Sequence, residues 1–159
     1  MRVLGIDPGT QVCGYGVVDC EGGVVKAVDY GVVRAPRQQA LYLRLHAIHA
    51  GLSEVIARHR PEVAAVEGAF HGINARTAIK IGEARGVALL AVAAAGLEVN
   101  EYAPATVKLA TVGTGGATKS QVQEMVRVIL KLSALPEPED AADALAIAIC
   151  HCHRQRKLG

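Results

Sequence analysis

Four carboxylates stand where they could share a metal site: Asp7, Glu67, Asp140 and Asp143. Asp7 closes the apolar run RVLGID just before Pro8-Gly9, and Glu67 closes EVAAVE. Short apolar runs stopped by turn residues read as buried strands, and ligands of α/β sheets gather where strands end. Asp140 and Asp143 are three apart at the start of the last helical stretch, so they share a face. Glu139 also lies one turn before Asp143, and spacing alone leaves Glu139/Asp143 open as the pair. Carboxylates brought together repel one another unless cations intervene. Two hard divalent ions about 4 Å apart would compensate, and would clamp the attacking water and leaving oxygen of a phosphodiester. Taken singly, each residue has a plainer reading as a turn residue, a strand-end charge or a helix-dipole partner. Their order and context together favour the metal site.

The elements that must position these groups follow from periodicity. Residues 2–7 predict a strand, and residues 12–19 and 23–34 predict two more around Glu21-Gly22-Gly23, an opening antiparallel meander. Leu41, Leu45, Ile48, Leu52, Val55 and Ile56 switch to helical spacing over 38–60, and Pro61 stops the run. A fourth strand is expected at 62–67, a second helix at 74–95 and a fifth strand at 97–103. Pro104 opens a short helix, Gly113 to Gly116 break it, and Thr118 caps a helix to about Leu132. The last helix begins near Pro138. The expectation is an α/β fold: one domain, 1–159, with a mixed five-stranded sheet flanked by helices on both faces.

Composition sets the bounds. The 159 residues are 51% hydrophobic and 20% charged, ordinary for a globular domain with a full core. A net charge of +2 neither demands nor excludes nucleic acid, but bases gather at 119–131 and 154–157 and acids at 137–143, as around an acidic pocket or on solvated helix faces. The longest apolar run, Gly86 to Leu97, is too short to span a bilayer, and MRVLGIDPGT has no signal-peptide pattern, so a cytoplasmic protein is expected. The cysteines at 13, 20, 150 and 152 are then expected reduced. Zinc at Cys150-His151-Cys152-His153 is disfavoured, because neighbours two apart on a helix diverge and no second ligand pair exists. The tail histidines are expected on a solvated face.

GIDPGTQVCGYGV, AVEGAF, ARGVA and DAADALAIAICHCH, in that order, resemble the Holliday junction resolvase RuvC family of the ribonuclease H-like nucleases. The resemblance runs through about Cys152. It implies a ribonuclease H-like fold, symmetric cleavage of two opposed strands of a four-way DNA junction in recombination and repair, and Mg²⁺ or Mn²⁺ as cofactor, two ions per subunit. It assigns the metal-binding and catalytic carboxylates to Asp7, Glu67, Asp140 and Asp143, preferring Asp140 to Glu139. Gly68-Ala69 departs from the family, which commonly has bulkier residues after the glutamate. The resemblance places Phe70, the chain's one phenylalanine, at the junction centre, where a loop aromatic could stack on an unpaired base; a core plug is the alternative. Lys108 and Lys119 match family lysines near the cleaved strand, flanking the glycine-rich turn 113–116. Arg76 and Lys80, one turn apart, could track a DNA arm, and His71 could touch DNA. A branch-migration helicase complex of RuvA and RuvB is the implied partner, with no membrane.

A homodimer is expected on separate grounds. From Gly86 to Leu97 every residue is apolar or glycine, and a helix apolar all round needs cover on two sides. The sheet supplies one cover; a second subunit, matching the two-fold symmetry of a junction, supplies the other. The C-terminal helices are the competing cover. Competing functions are a related nuclease or RNA-processing enzyme, a non-catalytic junction-binding module, and a nucleotide-handling protein of the actin and sugar-kinase group, for whose second phosphate loop the chain has no room.

Overall fold

The computed structural model describes residues 1–68 and 74–158. The strands are β1 (Arg2–Asp7), β2 (Val12–Glu21), β3 (Val24–Arg34), β4 (Val63–Glu67) and β5 (Glu98–Tyr102). The helices are α1 (Leu41–His59), α2 (Ala75–Ala94), α3 (Pro104–Val112), α4 (Lys119–Ile129) and α5 (Glu139–Leu158). The sheet runs β3-β2-β1-β4-β5, antiparallel across β1, β2 and β3 and parallel across β1, β4 and β5. The expected architecture therefore holds, with ends moved by local chemistry. Helix α1 stops at His59 because Arg60, just before Pro61, takes a left-handed conformation (φ 48°). Helix α4 ends three residues before the predicted Leu132, where Lys131 is left-handed (φ 55°). Both break the helical ladder at a non-glycine position.

Alternation in the strands divides the core. Leu4, Ile6, Ala64 and Val66 face α1 and α2, where they join Ile48, Leu52, Ala88 and Val92. Val3, Val63 and Ala65 face α3, α4 and α5, where they join Val107, Val126, Leu145 and Ile149. Asp7 and Glu67 continue the second set by the two-residue period, so both strand-end carboxylates lie on the α5 side.

Helix α5 reaches the sheet through glycine. Gly5 and Gly16 are cross-strand partners, and Gly14 is the partner of Asp7. A Cβ on Gly5 would lie 2.0 Å from the Ala144 carbonyl oxygen, and one on Gly14 would lie 2.0 Å from that of Asp140. At Gly16 the nearest atoms, at 2.8 Å, belong to Leu145. Backbone meets backbone here, and any side chain would lift the helix.

Two expectations are corrected by α5. Cys20 and Cys152 are disulfide-bonded rather than reduced, because this helix crosses the sheet and brings its C-terminal half to the end of β2, with a Cα–Cα distance of 6.1 Å. Cys13 and Cys150 stay free and buried, and burial pushes their thiols up to about 12 and about 11. The tail histidines are not on a solvated face: His151 is buried, with Nδ1 2.7 Å from the Tyr102 hydroxyl, and His153 Nδ1 lies 2.9 Å from the Ala110 carbonyl. A helix wedged between the sheet and α3/α4 has almost no free side. Among the described residues no helix is long and apolar enough to cross a membrane.

Candidate metal centre

The site assembles from both ends of the chain. β1 and β4 are parallel neighbours, with Ile6 opposite Val66, so Asp7 and Glu67 end adjacent strands on one edge. The first turn of α5, seated on Gly14, lowers Asp140 and Asp143 toward that edge. One carboxylate oxygen each from Asp7, Asp140 and Asp143 lie within 4.8 Å of one another. Glu67 joins Asp7 and Asp143 in the wall of a cleft of about 260 Å³.

Two lysines face the same cleft. Lys108 comes from α3, which Pro104 opens and Gly113 (φ 93°) closes. Lys119 opens α4, where Thr118 and Gln121 form a capping box: Thr118 Oγ1 accepts from the Gln121 N–H at 3.2 Å, and Gln121 Oε1 accepts from the Thr118 N–H at 2.8 Å. Lys119 Nζ lies 3.2 Å from Asp143 Oδ2 and 3.3 Å from Glu139 Oε2. Glu139 also accepts from Gln123 Nε2 at 3.2 Å, which turns it toward α4. Asp140 is thus grouped with Asp7 and Asp143, while Glu139 is turned toward Lys119 and Gln123.

The electrostatics are those of crowded anions. Burial, then the charges of Asp143, Asp140 and Glu67, push the Asp7 carboxyl up to about 8, against Lys119. Glu67 is raised by burial and by Asp143, with Lys108 and Lys119 opposing. Burial also raises Asp143 despite its contact with Lys119. For Lys119 burial works downward, but Asp143 and Glu139 prevail and hold it above the usual lysine range. Hard oxygen donors crowded in this way suit a divalent cation. A divalent ion would relieve the repulsion that now favours protonation.

The remaining candidates part company. Phe70, His71 and Ala69 lie outside the described residues. Gly68 donates its N–H to the Tyr102 carbonyl at 2.8 Å, and a Cβ there would meet its nearest neighbour at 3.6 Å, an ordinary contact distance. Arg76 and Lys80 are exposed on α2 and line a different cleft, with Thr10, Gln11 and Arg44. Arg44 had no sequence signal, since its cation sits among the polar positions of an ordinary amphipathic helix.

A mixed sheet in the order β3-β2-β1-β4-β5, with carboxylates at the ends of β1 and β4 and a helix crossing above them, defines a ribonuclease H-like fold. Residues 3–151 match the family profile described as crossover junction endodeoxyribonuclease RuvC. The chain is 52% identical over 145 residues to the protein of that description from Heliobacterium modesticaldum, covering 91% of this chain and 90% of that one. Identity to its counterpart from Chloroflexus aggregans is 54% over 145 residues, covering 91% and 88%. Thermus thermophilus RuvC in complex with Holliday junction substrate superposes with a TM-score of 0.92 at 42% identity, covering 99% of this chain and 96% of that one. The chain belongs to the RuvC family of crossover junction endodeoxyribonucleases.

Proposed function

We propose that this chain resolves four-way DNA junctions by hydrolysing one phosphodiester in each of two opposed strands, with Asp7, Glu67, Asp140 and Asp143 as its metal-binding and catalytic residues. The observation that carries the reading is the convergence of Asp7, Asp140 and Asp143 within 4.8 Å, beside a cleft that Glu67, Lys108 and Lys119 line. The carboxylates would hold Mg²⁺ or Mn²⁺, two ions per subunit, which when bound activate the attacking water and stabilise the leaving oxygen. Lys119 orients Asp143 and, with Lys108, faces the phosphate of the cleaved strand. Phe70 and His71, beyond Glu67 in the chain, meet the bases and backbone at the junction centre, and Arg76 and Lys80 follow an arm.

The active assembly in this proposal is a homodimer built on the outer face of α2. Ala84, Ala88, Ala91 and Val92 are buried against the domain, while Leu90 remains 60% exposed, with Gly82, Gly86 and Ala93 beside it. The C-terminal helices occupy the opposite side of the sheet and leave that face open. Two copies of the site then match two opposed strands. Partnership with a RuvA–RuvB branch-migration complex in the cytoplasm completes the reading.

The test is a cleavage assay on a synthetic four-way junction, with linear duplex and RNA–DNA hybrid of the same sequence alongside. Paired nicks in opposed junction strands, dependent on Mg²⁺ or Mn²⁺ and absent with chelator, are expected. Equal cutting of duplex or hybrid would overturn junction resolution in favour of a general nuclease. Tight binding with no cleavage under any divalent ion would leave a binding module.

A further inference from the structure

The second cleft, of about 450 Å³, lies on the α1/α2 side of the turn between β1 and β2. It is lined by Thr10 and Gln11 from that turn, Leu41 and Arg44 from α1, and Arg76, Ile79, Lys80 and Glu83 from α2. Leu41 and Ile79, 37% and 61% exposed, are its apolar lining. Three cations face one anion, and among the described residues Arg44, Arg76 and Lys80 form no salt bridge. Arg44 is anchored at the back: Nη1 lies 3.4 Å from the Thr10 carbonyl oxygen and 3.5 Å from its hydroxyl. Its Nε is buried and meets no partner among the described residues.

We infer that this cleft is a binding site for the sugar–phosphate backbone of the strand presented to the carboxylates, with Arg44 as its fixed phosphate ligand. Charge says that the occupant is anionic. The apolar side chains suit the face of a deoxyribose, and the guanidinium and ammonium groups suit the phosphates on either side of it. Position ties the cleft to the reacting strand. Thr10 is three residues beyond Asp7, hence at most about 11 Å away along the chain at 3.3–3.6 Å per residue. The reacting phosphate would then have Lys108 and Lys119 on one bank and Arg44 and Lys80 on the other. A strand gripped on both sides cannot rotate about its scissile bond, which is the restraint that a water attack in line with the leaving oxygen requires. This inference rests on the proposed function and extends it to Thr10, Leu41 and Arg44, none of which the carboxylate site uses.

The experiment is junction binding by fluorescence anisotropy over a salt series, in metal-free buffer so that nothing is cut, for the intact wild type, Arg44→Gln and Lys80→Gln. Each phosphate contact contributes about 0.9 to the slope of log affinity against log salt. Each variant should therefore lose about one such increment, and across a fourfold rise in salt its affinity should fall about 3.5-fold less than the wild type's. A junction with uncharged methylphosphonate linkages within three nucleotides of the cut should weaken wild-type binding, and should weaken Arg44→Gln binding by about one phosphate contact less. Lys80 is exposed and makes no hydrogen bond among the described residues, so Lys80→Gln keeps the test open if Arg44→Gln melts early. Wild-type slopes in both variants overturn the cleft while leaving junction resolution intact. A wild type that does not bind junctions overturns both.

Discussion

At Asp7 the folded chain holds a proton that the unfolded chain gives up. An unfolded aspartate titrates near about 3.9, whereas burial and then Asp143, Asp140 and Glu67 lift the folded carboxyl to about 8. Between those values the native state binds more protons than the unfolded one, so stability falls as pH rises through the window. Without metal, Asp7→Asn should flatten that dependence and melt several degrees higher than the wild type at pH 8. Mg²⁺ or Mn²⁺ at pH 8 should raise the wild-type melting temperature and hardly move the variant, which should bind junctions without cutting them. Calorimetry with and without chelator reads all three; a variant that melts lower than the wild type in chelator, or cuts normally, refutes the assignment. Phe70→Ala should impair cutting far more than folding, since a lost base stack is worth about 1–3 kcal/mol. A drop of many degrees in its melting temperature would make Phe70 a core residue instead. The carboxylates were legible as candidates because each ends an apolar run or stands near the start of a helix. Spacing left Asp140 and Glu139 both open, because each lies one turn or less from Asp143, and only the family resemblance preferred Asp140; in the fold Lys119 and Gln123 draw Glu139 aside.

At the scale of elements, α5 and α2 make opposite demands. Helix α5 needs bare backbone beneath it, and Gly14→Ala would drive a methyl to 2.0 Å from the Asp140 carbonyl. Overpacking of this kind costs about 1–3 kcal/mol when neighbours can yield, and more against backbone. Urea denaturation should show a loss at or beyond the top of that range, and Gly116→Ala, where a Cβ meets its nearest neighbour at 3.9 Å, should lose far less. Helix α2 has two apolar faces with separate fates. Ala88→Glu or Ala91→Glu buries an unpaired carboxylate and should unfold the chain, whereas Leu90→Glu, on the exposed face, should leave it folded and monomeric with paired cleavage lost. Sedimentation with circular dichroism separates the cases. A wild-type monomer at micromolar concentration, or unfolding by every substitution, removes the dimer. Periodicity gave the elements and their polar faces, since each is a property of one segment. The parallel pairing of β1 with β4, and the seat of α5 on three glycines, are relations between distant segments, and no local pattern carries them.

For the molecule as a whole, the Cys20–Cys152 bond spans 132 residues and ties the end of β2 to the far half of α5. Reading four reduced thiols from the absence of a signal pattern took compartment as the guide, while the outcome was decided by where α5 crosses the sheet. A loop of that size corresponds to about 4–5 kcal/mol of chain entropy removed from the unfolded state. Oxidised protein should show two free thiols per chain on unfolding, and reductant or Cys20→Ser should lower its melting temperature by many degrees. Four titratable thiols in protein prepared without reductant would contradict the crosslink. The burial of His151 escaped the sequence for the same reason: a helix covered on nearly every side hides polar residues that a tail would expose.

The glycines under α5 also bear on which cation the site would prefer. Mg²⁺ takes oxygens at about 2.0–2.1 Å and Ca²⁺ at about 2.3–2.6 Å, a difference of roughly half an ångström or less. A single carbon–carbon bond is about 1.5 Å long. One methyl group between sheet and helix would therefore displace Asp140 and Asp143 from Asp7 by more than the margin that separates the two ions. The ionic radius admitted would be set by Gly5, Gly14 and Gly16, residues with no side chain to offer an ion.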